Sequence, residues 1–169
     1  MVELVIVVRH LLGFLMLAVC MGTIVVGFGM LLPVLDAQQE LLDANLAAAV
    51  GRPLALRLSD TLLTGAMVLA VITPSWVRHR MATTLALLLL SGATLQRIVV
   101  LPRVHEAWSL VDRVTGRPLD RVLDAERWSS VHLGILTCLF MISIAMVWLA
   151  SRWSSNAPGV AARATPRPA

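Results

Sequence analysis

Four apolar runs, each close to the length that crosses a bilayer, restrict this 169-residue chain more than any other feature. A hydrocarbon core roughly 30 Å thick takes about 20 apolar residues of helix. No water reaches that core, so each backbone N–H and C=O must pair within its own segment, and the runs are expected to be helical. The first, Leu11 to Leu32, carries no ionisable group. A removable leader has an apolar region of only about 7–15 residues, so this run predicts an uncleaved first span. The second covers residues 58–77; its most apolar part starts at Thr61, and Pro53 is suited to the first turn of its helix. The third, 81–101, contains Leu85-Ala86-Leu87-Leu88-Leu89-Leu90, and the fourth covers 131–150. The expectation is an all-α membrane protein. Residues 1–153 would form an antiparallel bundle of four transmembrane helices, and 154–169, made mostly of Ala, Pro, Ser and Arg, a disordered tail.

Composition agrees. Hydrophobic residues make up 58% of the chain and charged residues 14%, which excludes both an ordinary soluble domain and a mainly disordered chain. The net charge of +4 comes from arginine alone, with no lysine. Those arginines stand singly at the edges of apolar runs, where lipid headgroups want them, and do not cluster with aromatics as a nucleic-acid surface would. The partner implied is the lipid bilayer, and no nucleic acid. Cys20 and Cys138 lie within apolar runs and read as small hydrophobes.

Four crossings put both termini and the short loop 74–80 on one side, A, and two longer segments on the other, B. Side A holds six arginines against one acid; side B holds seven against nine. Orientation follows the positive residues of short segments, so the denser arginines of side A predict both termini in the cytoplasm and a multi-pass protein of the cell (inner) membrane. Trp76, Trp148 and Trp153 at side A, with Trp108 and Trp128 at side B, sit near span edges, where an indole ring prefers the headgroups.

The side B segments read as structured. From Val34 to Val50, Leu35, Leu42, Leu46 and Ala49 recur at helical spacing, predicting an amphipathic helix stopped by Gly51 and restarted by Arg52-Pro53. In 103–130, Val104, Trp108 and Val111 share a row, Thr115-Gly116 marks a turn, and Arg117-Pro118 opens a charged helix.

Polar groups at membrane depth are functional candidates by default, because leaving one unpaired there costs several kcal/mol. Asp60 and Arg97 come within about 6 Å of the same boundary and are placed to pair, with Gln96 beside them. His132 opens the fourth span at that level. The polar layer of Asp60, Gln96, Arg97 and His132 is therefore the candidate substrate or ion site, and a structural ion pair is its simplest reading. A metal site would draw on His105 and His132 with a carboxylate, although no ligand motif enforces the geometry. None of the four histidines lies deep enough to hold a haem, and no cofactor is implied. Met16, Met21, Met30, Met67, Met141 and Met146 read as core packing. Ala18 with Gly22, Ala66 with Ala70, and Ala82 with Ala86 supply small faces for close helix contact, within the bundle or to an oligomeric or membrane partner. Nucleophile elbow, phosphate loop and zinc-protease motifs are all missing, so the reading is non-enzymatic.

The string Arg127-Trp128-Ser129-Ser130-Val131-His132 resembles an Arg-aromatic-x-x-aliphatic-His pattern in small four-span membrane proteins catalogued as domain of unknown function 4149. That family is similar to a eukaryotic transmembrane protein linked to drug resistance. The order of spans and the long segment after the third span also resemble it. This chain has Ile135, Leu136 and Leu139 where that pattern carries polar residues. The resemblance implies a multi-pass fold and no particular reaction. Two functional expectations follow: a non-enzymatic membrane protein whose polar layer holds the bundle together, or a transporter or metal-handling protein that uses the same layer.

Overall fold

The computed structural model describes residues 2–37, 44–77, 79–111 and 118–155, and its regular structure is helical throughout. Helix α1 (Val2–Gly22) passes into a π-helical stretch (Thr23–Leu31) and then α2 (Leu32–Ala37). Helix α3 spans Ala44–Trp76; α4 (Arg80–Leu95) continues through a second π-helical stretch (Gln96–Val100) into α5 (Leu101–Ser109); α6 spans Leu119–Ser155. Four helical rods, Leu4–Val34, Val50–Trp76, Arg80–Ser109 and Leu119–Arg152, are long and apolar enough to cross a membrane. The last, at 1.5 Å per residue, reaches about 51 Å, more than the roughly 40–45 Å of a bilayer with its headgroups.

These rods are longer than the apolar runs in part because the chain stays helical through Pro33 and Pro102. Both π-helical stretches end two residues before a proline, Pro33 and Pro102. A proline ring collides with the carbonyl four residues back, and the wider π turn relieves that collision. The preceding residue bonds one position further back: the Leu32 N–H donates to Gly27 O, and that of Leu101 to Gln96 O. Gly51 does not end a helix either, since α3 runs through both it and Pro53. One missing hydrogen bond at Pro53 is outweighed because Ala55, Ser59 and Leu62 are already buried against other helices. Helix α6 runs two residues into the expected tail. The rest of that tail, the Thr115-Gly116 turn and positions 38–43 of the amphipathic segment lie outside the described residues.

Buried positions fall in alternating steps of three and four. In α3 they are Ala55, Ser59, Leu62, Ala66, Leu69, Thr73 and Trp76; along α4 and its π continuation, Ala82, Ala86, Leu89, Ala93, Gln96 and Val100. Helix α6 repeats the spacing with Leu136, Leu139, Ser143, Met146 and Ala150. This is the seam of coiled-coil packing, here mixing large apolar residues with small and polar ones. Helix α3 packs against α1 and α4, and α6 against α4, α5 and α1. Glycines fix the antiparallel register. A Cβ at Gly13 would lie 2.6 Å from the Trp76 ring, one at Gly65 2.7 Å from Cys20 Sγ, and one at Gly27 2.7 Å from Leu58. Between α4 and α6, a Cβ at Gly92 would lie 2.5 Å from Leu139.

Three expectations about faces are corrected here. Ala18 is exposed and Gly22 has nothing within 4 Å of its Cβ position, so the first rod approaches its neighbours through Gly13 in α1 and Gly27 in the π-helical stretch. The reason is rotational: 18 and 22 lie off the seam that carries Leu17, Cys20 and Ile24. Of the methionines, Met146 is buried, while Met30, Met67 and Met141 are more than half exposed and face outward. Trp76 is 4% exposed, a core residue rather than a headgroup anchor. Trp148 at the same end is exposed, with the Arg152 guanidinium 4.3 Å from its ring centre. Because Gly22 meets nothing, Gly22→Ala is expected to stabilise the protein by up to about 1 kcal/mol, the helix preference of alanine over glycine, read as a higher melting temperature in detergent.

Candidate functional site: a polar level shared by four rods

Side chains from all four rods meet at one level near the side B end. Asp60 projects from α3, and the Arg97 Nε donates to its Oδ1 at 2.5 Å. Their side chains are 47% and 30% exposed, which places the ion pair at the rim of the bundle. Gln96 is fully buried, and its Nε2 lies 2.6 Å from Nδ1 of His132 on α6. Phe28, in the first π-helical stretch, meets the imidazole edge to face at 5.4 Å. Neighbouring residues of a helix point in different directions. Gln96 therefore turns inward to α6 while Arg97 reaches α3 at the rim.

Both π-helical stretches thus carry members of this level. The prolines that make them necessary stand two residues beyond each stretch, so helix accommodation and site geometry share one cause. Two polar atoms here are buried without a hydrogen-bond partner: Gln96 Oε1, and Oγ of Ser59, the neighbour of Asp60. His105, half-buried on α5, is close enough to His132 to interact with it electrostatically. Among the described residues, no group of three His, Cys, Asp or Glu side chains converges to hold a metal ion.

The structure brings Asp60 to Arg97 and Gln96 to His132. Phe28 and Ser59 belong to the same level and escaped the sequence reading. Their signal is the three-and-four spacing of the seam, which places 28 and 59 inward, and hydropathy does not report it. Above this level Trp108 Nε1 donates to Ser129 Oγ at 3.0 Å, tying α5 to α6. At the opposite end Trp76 Nε1 donates to His10 Nδ1 at 2.7 Å, and Phe14 packs on the same indole at 5.1 Å.

The amide and imidazole make a specific test. His132→Phe leaves the whole Gln96 amide buried without a partner, a loss of about 1–3 kcal/mol. Gln96→Leu removes an atom that is already unpartnered, so its effect is expected to be smaller, and the double variant should lie closer to wild type than His132→Phe alone. Chemical unfolding in mixed micelles of the four proteins checks that order; a double variant worse than both single ones would contradict it.

No protein-family model matches this chain, and no curated protein or solved structure shows significant similarity to it.

Proposed function

We propose that this chain is a non-enzymatic, multi-pass integral protein of the cell (inner) membrane with both termini in the cytoplasm. In this reading the level of Asp60, Gln96, Arg97 and His132 holds the spans in register. The observation that carries it is that each of these side chains engages a residue of a different helix, Asp60 with Arg97 and Gln96 with His132. Interhelical polar contacts of this kind are worth about 0.6–2 kcal/mol in a bilayer, enough to fix register when several act together. The denser arginines of side A support the orientation. The likeness of Arg127 to His132 to the four-span family pattern supports membership of that family.

One observation favours a second reading, solute or ion handling at the same level: the buried, unpartnered Gln96 Oε1, a ready acceptor. Purified protein reconstituted into vesicles separates the two. The structural reading expects no stoichiometric metal and no solute flux, with His132→Ala changing neither; metal or flux that disappears in His132→Ala would establish the second. Reporter fusions at the two ends test topology independently. Both are expected to be active only with a cytoplasmic reporter, and ends in opposite compartments would overturn the arrangement.

A further inference from the structure

Beyond the polar level, α5 and the first turns of α6 flank an open cleft of about 160 Å³, lined by Arg103, Glu106, Leu110, Arg121, Asp124 and Trp128. Arg103 lies six residues past Arg97, about 9 Å further along the rod, so the cleft opens at headgroup height and rises toward water. Trp108 and Trp128 mark that height. The charges are two of each sign. Among the described residues none of the four forms an ion pair within 4.0 Å; the pair that does form is Arg97 with Asp60. The Arg103 guanidinium instead lies 5.8 Å from the Trp128 ring centre.

Each wall carries both signs, Arg103 with Glu106 on α5 and Arg121 with Asp124 on α6, so a simple anion or a simple cation meets like charge on either side. A molecule carrying both signs a few bonds apart meets neither penalty. We infer that this cleft binds a zwitterionic phosphoester, the chemistry of an ethanolamine phosphodiester. Arg103 and Arg121 would hold the phosphate through planar, two-pronged donors. Glu106 and Asp124 would hold the ammonium group through charge-assisted hydrogen bonds. The open cleft has room for a phosphate carrying a two-carbon amine. The ligand is either a bilayer lipid headgroup or the corresponding soluble phosphodiester.

The test is a binding titration of the delipidated full-length protein in detergent. Short-chain phosphatidylethanolamine, short-chain phosphatidylglycerol and soluble glycerophosphoethanolamine are the probes. Wild type is expected to prefer the ethanolamine lipid to the glycerol lipid by about tenfold. Arg103→Gln with Arg121→Gln should weaken ethanolamine lipid binding by about the same factor. Glu106→Gln with Asp124→Asn should reverse the preference in favour of the anionic glycerol lipid, an outcome that mere loss of structure does not produce. All four side chains are exposed, and unchanged helicity by circular dichroism confirms folding of each variant. Competition by glycerophosphoethanolamine would identify a soluble phosphodiester as the ligand; binding of the lipid without such competition would identify the headgroup. Equal affinity for the two lipids in wild type, or a preference unmoved by either double variant, would overturn the inference.

Discussion

Gly13→Ala is expected to destabilise this protein, although helix propensity argues for the opposite sign. Alanine is favoured over glycine within a helix by about 1 kcal/mol. At Gly13, however, a Cβ would stand 2.6–2.7 Å from three carbons of the Trp76 ring. The ring is rigid, 4% exposed, packed against Phe14 and tethered by its Nε1 to His10, so it cannot swing aside without losing those contacts. Forcing extra carbons into a packed interior costs roughly 1–3 kcal/mol, and three simultaneous short contacts place this site at the upper end. The net expectation is a loss of about 1–2 kcal/mol for Gly13→Ala and a larger one for Gly13→Val. Gly22→Ala, on the same helix with an open Cβ position, should move the other way. Adding Trp76→Leu should relieve part of the Gly13→Ala defect, giving a double variant less destabilised than the sum of the two single ones. Melting of the four proteins in one detergent decides; Gly13→Ala melting at or above wild type would refute the slot.

Arg97→Ala is expected to have the second large effect, by leaving the Asp60 carboxylate without its guanidinium near the edge of the apolar layer. Removing one partner of a fully buried ion pair costs about 3–5 kcal/mol, mostly through the charge left behind. Here the side chains are 30% and 47% exposed, so water and headgroups screen the orphan, and about 1–3 kcal/mol is the expected loss. Asp60→Ala should behave alike, and the double variant should be less unstable than the two single losses added together. Additivity within about 0.5 kcal/mol in a double-mutant cycle would show that the pair contributes no coupling to register.

Both predictions rest on contacts whose visibility in the sequence differs. Asp60 and Arg97 are legible because charges near an apolar run are rare, and antiparallel neighbours fix their relative height by counting residues from the loop. Gln96 and His132 are legible as polar residues at that level, although their 2.6 Å contact is not. The Gly13 slot is invisible in advance, because nothing local links residues 13 and 76. The same holds for Phe28 on His132, which needs the first rod and the last side by side.

The apolar runs by themselves determined that the chain is helical, that four rods are long enough to cross a membrane, and which polar residues share a height. Backbone self-pairing and the thickness of hydrocarbon leave no other solution for such runs. Only the tertiary structure decided which face of each rod turns inward. In water, apolar side chains mark the inward face, but lipid tails are as apolar as leucine, so hydropathy is the same on both sides of these helices. Close approach of backbones selects the face instead. Gly13, Ala66, Ala86 and Ser143 therefore lie inside while Leu11, Val71, Leu88 and Met141 lie outside.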